Sequence, residues 1–267
     1  MTTAVFHAPG LLGAARPGAV VTLTGNEARH AATVRRMRVG EEVELVDGAG
    51  LRVQGTITGA AKEALSVQVG SVMREPAPPV RLVLVQALAK GGRDEQAVET
   101  ATELGVDAVV PWQANRSVSV WSGAKVGRGR ERWAAVALAA AKQSRRAWVP
   151  EVRELVSSGQ LAALAERIVA GGGAVLVLHE RSSVPLSAAR LPGEVAPAGD
   201  ARHDGDASFP VGVAIVVGPE GGITDAEVAA LEEAGAQTVL VGPHVLRTST
   251  AGPAAIAVLA QRLGRWG

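Results

Sequence analysis

Two glycine-containing turns carry the residues of this sequence whose types and spacing are suited to binding chemistry. The first, VVGPEGGIT at 216–224, follows an apolar run and puts three glycines, a proline and one glutamate in a single turn. Gly218, Gly221 and Gly222 lack a Cβ, so a flat ligand can approach their backbone closely. No lysine follows the glycines and the GxGxxG pattern is absent, which disfavours a triphosphate or dinucleotide loop. The carboxylate of Glu220 favours a cationic or hydroxyl-bearing ligand, and a tight strand-to-helix connection is the alternative interpretation.

The second turn, LVGPHVLRTSTAG at 240–252, places one arginine in a loop rich in Gly, Ser and Thr. The guanidinium of Arg247 is suited to stabilising negative charge that develops on a substrate. Alternatively, Arg247 pairs with a carboxylate or packs its aliphatic stem. Ser249 or Thr250 is predicted to cap the N-terminus of the last helix. His179, at the end of an earlier strand, is expected to orient its loop rather than to act as an acid or a base.

The elements that must position these turns are predicted to form a parallel sheet covered by helices. Strands that are apolar on both faces alternate with helical stretches, which is typical of such an α/β fold. Ligands bind at the carboxyl ends of the strands in these sheets, where both turns and the segment VLHERS at 177–182 lie. Thr224 and Glu227 have capping-box spacing, which predicts a helix that begins near Asp225. The other predicted elements are strands at 80–88, 107–112, 174–180, 211–218 and 237–242, and helices at 95–105 and 252–264.

The N-terminal part has a different pattern, which indicates a small β-rich domain. Short alternating runs separated by glycine-containing turns predict strands that close into a small barrel, interrupted by one helix at 26–37. The prolines of REPAPPV at 74–80 predict a stiff linker. The sequence therefore predicts domains at 1–74 and 81–267, a linker at 75–80 and a flexible surface loop at 192–210.

Composition narrows the class of protein further. The chain has 267 residues, of which 47% are hydrophobic, as expected for a globular protein of one or two domains. It has no cysteine, which excludes disulfides and thiolate zinc sites, and no metal is predicted. The N-terminus lacks a signal-peptide pattern, and no apolar run approaches the roughly 18–20 residues that span a bilayer. A soluble cytoplasmic protein without a membrane partner is expected.

Basic residues are clustered although the formal net charge is only +1. One cluster lies at 125–146 and another at 29–38, and segregated positive charge suits contacts with RNA phosphates. Solvated helix faces are the alternative interpretation of both clusters. Tyrosine is absent, so base stacking would fall to arginine or to Trp112, Trp121 or Trp148, for which buried packing is the more common role. The candidate RNA-binding residues are Arg29, His30, Arg35, Arg36, Arg38, Lys90, Arg116, Arg145 and Arg146.

Taken in order, these motifs resemble the ribosomal RNA small-subunit methyltransferase E family of the SPOUT superfamily. The resemblance rests on GPEGGIT and LVGPHVLRTSTA, and it extends over nearly the whole chain. Further matching segments lie at 30–50, 87–112, 115–118, 140–150 and 177–182. The chain departs from the family pattern at His244, where Arg is expected, and at Ser249 and Asn115, where Glu is expected. The SLN-type final motif of ribose-methylating relatives is absent, which favours methylation of a base.

The resemblance implies an S-adenosyl-L-methionine (SAM)-dependent enzyme that methylates N3 of a specific uridine in the 16S rRNA of the small ribosomal subunit. It also implies a PUA-like N-terminal β-barrel, a trefoil knot in the SPOUT-type domain, and a homodimer with the active site at the subunit interface. A SPOUT methyltransferase for another rRNA or tRNA site, and a non-catalytic RNA-binding ribosome-assembly factor, stay open as alternatives. Arg247 is the expected catalytic residue. The expected SAM-binding residues are Leu178, His179, Glu180, Val217, Gly218, Pro219, Glu220, Gly221, Val241, Gly242, Val245, Leu246, Thr248 and Ala251.

Overall fold

The computed structural model describes residues 3–192 and 212–266. The chain forms two compact units, one made of residues 1–77 with 141–149 and the other of residues 78–140 with 150–267. The division into domains at 1–74 and 81–267 stays a prediction. The surface loop predicted at 192–210 lies, except for Pro192, outside the described residues. In the described part of the chain, no helix is both long and apolar enough to cross a membrane.

The first unit is built on a curled five-stranded sheet with the order β1-β3-β4-β5-β2. Strands β1 and β3 are parallel, and the other neighbours are antiparallel. Two register shifts between β4 and β5 bend the sheet around its core, and the strands form a half-barrel rather than the closed barrel that was predicted. The strands are β1 (Ala4–His7), β2 (Val20–Thr24), β3 (Glu42–Val46), β4 (Leu51–Ala61) and β5 (Ala64–Arg74).

The helix predicted at 26–37 is present in the first unit but ends earlier. It comprises α1 (Gly25–Arg29) and a π-helical turn (His30–Val34). Ala28 and Ala31 are its buried residues, which leaves the basic residues that follow on the surface. The helix ends before Arg36, whose φ of 54° is left-handed.

Residues 141–149 complete the first unit. The Gly50 N–H donates to the Ala147 carbonyl at 3.1 Å, and the Val149 N–H donates to the Gly48 carbonyl at 3.0 Å. The Trp148 indole N–H donates to the Glu75 carbonyl at 3.2 Å. Gly50 has a φ of 90°, and a Cβ there would overlap the Trp148 ring, so this glycine permits both the turn and the close packing.

The second unit is the predicted parallel α/β sheet, with the order β12-β10-β11-β6-β7-β8 and with β9 paired to β7. Its strands are β6 (Arg81–Ala87), β7 (Ala108–Gln113), β8 (Glu151–Val152), β9 (Val156–Ser157), β10 (Ala174–Leu178), β11 (Gly212–Val217) and β12 (Gln237–Val239). Its helices are α2 (Arg93–Glu103), α3 (Ala124–Gln143, which runs into residues of the first unit), α4 (Ser158–Ala170), α5 (Asp225–Glu233) and α6 (Thr248–Arg262).

Alternating strand residues fill two cores, one on each face of this sheet. Leu82 and Leu84 of β6 join the core to which α2 and α6 contribute. Val83 and Val85 join the opposite core, to which α4 contributes. Burial on both faces explains why the strands are apolar throughout. Packing of helices on both faces leaves the carboxyl ends of the strands free to carry turns.

The last helix corrects one prediction from the sequence. Helix α6 begins at Thr248 rather than near Gly252, and its N-cap is Arg247, without a side-chain capping bond. The Arg247 carbonyl accepts from the N–H groups of Thr250 and Ala251 at 2.8 and 2.9 Å. The prediction that Ser249 or Thr250 caps the helix is therefore wrong, because both residues already lie in its first turn.

Candidate cofactor cleft

Two cavities lie at the carboxyl ends of β10 and β11 and along the segment after β12. The larger has a volume of about 440 Å³ and the smaller about 160 Å³. They share Leu178, His179, Glu180, Val245, Leu246 and Ala251 as lining residues. All the expected SAM-binding residues line one cavity or the other, including those of the turns after β11 and β12. The three turns that are separate in the sequence thus form one continuous cleft.

The turn after β11 has a geometry that depends on its glycines. The Gly222 N–H donates to the Pro219 carbonyl at 2.9 Å and closes the turn, and Gly222 has a φ of 74°, a conformation that favours glycine. A Cβ on Gly218 would lie 2.6 Å from Cγ1 of Ile223. Both glycines therefore let the chain fold back tightly, while Pro219 to Gly222 line the larger cavity.

Thr248 joins the turn after β11 to the N-terminus of α6. Its hydroxyl donates to the Gly218 carbonyl at 2.8 Å and accepts from the side-chain amide of Gln86 at 2.9 Å. Gln86 is fully buried near the end of β6. It was not among the residues expected from the sequence, because an apolar strand gives no signal that one buried amide supports two distant turns.

Glu220 is held by the segment after β6. Its Oε1 accepts from the Arg93 guanidinium at 2.8 Å and from the Lys90 N–H at 3.4 Å. Partial burial disfavours the charged carboxyl, but hydrogen bonds from its own backbone, Arg93 and Lys90 outweigh that effect and lower the pKa of Glu220. Glu220 is thus an ionised group that orients its loop at the cleft.

A second glutamate, Glu227, connects three segments beside the cleft. The capping box predicted with Thr224 is present. The carboxylate also accepts from the Asn115 N–H at 2.8 Å and from the Ser158 hydroxyl at 2.6 Å. Burial disfavours its charge, but the hydrogen bonds from Ser158, Asn115 and Thr224 prevail, so the pKa of Glu227 lies below its ordinary value. The Asn115 contact uses the backbone, so the departure from the family pattern at this side chain does not remove it.

The charged residues at the rim of the larger cavity include two arginines singled out from the sequence. Arg247 is exposed and lines this cavity. Arg116 lines it too, and its Nη1 donates to the Gly221 carbonyl at 3.2 Å. The Arg181 N–H donates to Nδ1 of His179 at 3.3 Å, a contact within the loop after β10. His244 is exposed and lines the smaller cavity.

The candidate RNA-binding residues fall in both units. Lys90 and Arg116 are exposed in the second unit, and the other candidates belong to the first. In the first unit all are exposed except Arg146, which is half-buried. Arg29 forms an exposed ion pair with Glu63 at 3.0 Å, and Lys142 of the basic 125–146 segment pairs with Glu27. The segment itself is divided between the two units at 140/141.

The tryptophans proposed as stacking candidates are packed to different degrees. Trp112 is fully buried, and its indole N–H donates to the Ser158 hydroxyl at 3.3 Å. Trp121 and Trp133 pack edge to face with ring centroids 5.3 Å apart. Trp121 and Trp148 are half-buried. Among residues 3–192 and 212–266, no group of three or more His, Asp or Glu side chains is arranged to hold a metal ion.

Comparisons with known proteins match both the N-terminal and the C-terminal part of the chain. A family model described as an RNA methyltransferase domain matches residues 76–260, and one described as an RNA methyltransferase PUA domain matches residues 23–70. The ribosomal RNA small subunit methyltransferase E of Mycobacterium bovis is 43% identical over 254 residues, which cover 93% of this chain and 89% of the relative. The protein of the same name from Bacillus subtilis is 32% identical over 233 residues, which cover 86% of this chain and 85% of the relative.

A solved structure extends the likeness to three dimensions. The crystal structure of a ribosomal RNA small subunit methyltransferase E from Neisseria gonorrhoeae, bound to S-adenosyl methionine, has a TM-score of 0.78 at 26% identity and covers 98% of both chains. A putative methyltransferase from Legionella pneumophila, solved with bound SAM, has a TM-score of 0.77 at 26% identity, again with 98% of both chains covered. With the family model and the identity over most of its length, this chain belongs to the ribosomal RNA small subunit methyltransferase E family.

Proposed function

We propose that this protein is a cytoplasmic SAM-dependent methyltransferase that modifies N3 of a specific uridine in the 16S rRNA of the small ribosomal subunit. The observation that carries the proposal is the single cleft formed by the turns after β10, β11 and β12. Thr248 ties two of these turns together through the Gly218 carbonyl. The family membership supports rRNA of the small subunit as the substrate class, and the resemblance at the two turns supports the uridine and its N3.

The chemistry of the cleft fits SAM. Leu178, Leu246 and Ala251 offer apolar walls common to both cavities, as an adenine ring requires. The backbone around Gly218 and Gly242 can exchange hydrogen bonds with polar edges because no side chain stands in the way. The ionised Glu220 suits the hydroxyl groups and positive charge of this ligand. When bound, SAM supplies a methyl group activated by its sulfonium.

The residues of the chain contribute position and charge to the transfer. The transfer would join the methyl carbon to N3 of uracil and break its bond to sulfur, which leaves as the neutral thioether S-adenosylhomocysteine, while the N3 proton passes to solvent. Alignment of the reacting atoms supplies several kcal/mol of the barrier reduction. Arg247, exposed at the rim of the larger cavity, stabilises the negative charge that develops on the uracil carbonyl oxygens. Lys90, Arg116 and the basic residues of the first unit contact RNA phosphates.

The trefoil knot and the homodimer are part of the same proposal. The loop after β10 contacts both ends of the C-terminal segment. The N–H of Leu240 donates to the Val184 carbonyl at 2.8 Å, and the Arg262 guanidinium donates to the carbonyls of Leu186 and Ala189 at 3.0 and 2.9 Å. The homodimer rests on the resemblance at the two turns. An experimental chain trace tests the knot, and light scattering in solution tests the dimer.

The direct test is methyl transfer from tritiated SAM to small subunits that lack the modification, followed by nucleoside mass spectrometry. The expected product is 3-methyluridine in 16S rRNA. Arg247→Ala is expected to lower kcat by about 10²–10³, and Arg247→Lys serves as the matched control that keeps the charge but loses the planar fork.

Three other outcomes would overturn parts of the proposal. A different methylated nucleoside would refute the N3-uridine assignment, and transfer only to tRNA or to another rRNA site would refute the substrate. SAM binding without transfer to any RNA would favour a non-catalytic assembly factor.

A further inference from the structure

Glu227 makes contacts that its capping role does not require. As the cap partner of α5, it needs only the contact between Oε2 and Thr224, whose N–H and hydroxyl lie 2.9 and 2.7 Å away. Its Oε1 is used elsewhere, by Asn115 and Ser158, which are 112 and 69 residues away in the sequence. Glu227 is 4% exposed, and its contacts with Asn115 and Ser158 are part-buried.

The contact with Asn115 bears directly on the cleft. The next residue, Arg116, reaches back over the turn after β11 and donates to the Gly221 carbonyl. The segment at 115–116 is thus fixed to the neighbourhood of the cleft at two points, one part-buried and one exposed. The hydrogen bond from the Asn115 N–H to Glu227 fixes the backbone that leads into Arg116. The hydrogen bond to the Gly221 carbonyl fixes the Arg116 side chain.

We propose that Glu227 is a positioning residue that holds the 115–116 backbone against the turn after β11 and so sets Arg116 at the rim of the cleft for contact with RNA. This inference rests on the proposed function, because it assigns Arg116 to the RNA substrate. Glu227 does not touch substrate in this role. It acts through Arg116, and it couples the cofactor turn to the loop that meets RNA.

Only a carboxylate satisfies the donors at this position. Each oxygen accepts from one backbone N–H, that of Asn115 on Oε1 and that of Thr224 on Oε2. The hydroxyls can rotate to accept a hydrogen bond, but a backbone N–H can only donate. A glutamine side chain has one acceptor oxygen, so its NH₂ group must face one of the two N–H groups. Glu227→Gln therefore releases either the 115–116 segment or the start of α5.

The test is a double-mutant cycle on the affinity of the full-length protein for small subunits, measured by filter binding in the presence of SAM. Glu227→Ala, which removes both acceptor oxygens, and Arg116→Ala are each expected to weaken binding about tenfold, as expected for the loss of a hydrogen bond to a charged group. If Glu227 acts through Arg116, the double variant is also about tenfold weaker, since coupled residues are not additive.

The control variant is Ser158→Ala, which removes a hydrogen bond to the same Oε1 but leaves the Asn115 N–H in place. It is expected to lower thermal stability while RNA affinity stays near that of the parent. Glu227→Asp retains the charge but is shorter by one methylene, and it replaces Glu227→Ala in the cycle if the latter is unfolded at the assay temperature.

Two results would overturn the inference. One is a double variant about 100-fold weaker than the parent, because independent effects multiply. The other is equal RNA affinity for the Glu227→Ala and Ser158→Ala variants, both measured at a temperature at which they are folded. A parent protein that binds subunits but forms no 3-methyluridine would refute the proposed function alone, because the cycle measures binding and not catalysis.

Discussion

Replacement of Gly221 by valine tests the position of the methyl-donor cleft. Gly221 lies in the turn after β11 and lines the larger cavity. A Cβ at this position would lie 3.0 Å from Cβ of Arg116 and 3.2 Å from its carbonyl oxygen, closer than the roughly 3.5–4.0 Å that is optimal for carbon atoms. The two further methyl groups of valine extend the side chain by about 1.5 Å, so the turn and the 115–116 segment must move apart.

The expected loss follows from the cost of such overpacking, about 1–3 kcal/mol. If the bound form alone requires the present geometry, this cost appears in the affinity for SAM, and the Kd rises by about 5- to 150-fold. Gly221→Ala needs a shift of only a few tenths of an ångström and is expected to have a smaller effect. Gly221 lacks the left-handed φ of its neighbour Gly222, so backbone strain does not complicate the comparison.

Isothermal titration calorimetry with SAM measures these differences, and circular dichroism checks that each variant is folded. Gly127→Val on α3 is the matched control, because a Cβ there has no atom within 4 Å. Its SAM affinity should stay within about twofold of the parent value. A folded Gly221→Val variant with the affinity of the parent would refute the placement of SAM against this turn.

Three further predictions concern RNA binding, stability and pH. Arg36→Glu in the first unit should weaken RNA binding about tenfold in a filter-binding assay, since reversal of an exposed charge removes attraction to phosphates. The SAM affinity measured by calorimetry should stay unchanged. Equal RNA affinity for the variant and the parent would show that Arg36 does not contact RNA. Arg265 pairs with Asp107 through two contacts, at 2.6 and 3.0 Å. Arg265→Ala should lower the free energy of unfolding in urea by about 1.5–3 kcal/mol, because it removes charge-assisted hydrogen bonds from a largely buried carboxylate. A loss below about 0.5 kcal/mol contradicts this reasoning. The native pKa of Glu227 is lowered, so the stabilisation by its charge is present above the unfolded-state pKa of about 4.3 and is lost as the pH falls through the native pKa. The difference in unfolding free energy between the parent and Glu227→Gln should therefore narrow below about pH 4. A difference that is constant from neutral to acid pH would disprove this linkage.

The residues that line the cleft could be predicted from the sequence because their types differ from those of the apolar strands around them. Glycines in GPEGG and the arginine in the loop before α6 stand out against apolar strands and lie at their carboxyl ends. The supporting contacts were not accessible in the same way. For Glu227 the sequence predicted only the capping contact with the nearby Thr224. Its contacts with Asn115 and Ser158 could not be predicted because these residues are distant in the sequence. Gln86 was hidden in a strand whose neighbours are apolar.

Two predictions failed for physical reasons that a single sequence does not display. Helix α6 begins with the hydrogen bonds from the N–H groups of Thr250 and Ala251 to the Arg247 carbonyl, whereas capping preferences alone favoured Ser249 or Thr250. The closed barrel was inferred from strand alternation, which fixes which faces are buried. It does not fix the number of strands or the bends in β4 and β5 that decide whether a sheet closes.

The discontinuous first unit has a consequence for synthesis on the ribosome. Its last strand is complete at Arg74, but its closing segment ends at Val149, and the stretch between includes β6, α2, β7 and α3. At about 5–20 residues per second, the end of the closing segment arrives roughly 4–15 s later. Until then Glu27 lacks its ion-pair partner Lys142, and the glycine turn at 48–50 lacks its packing against Trp148. The nascent first unit therefore stays incomplete until residues 78–140 of the second unit have been made.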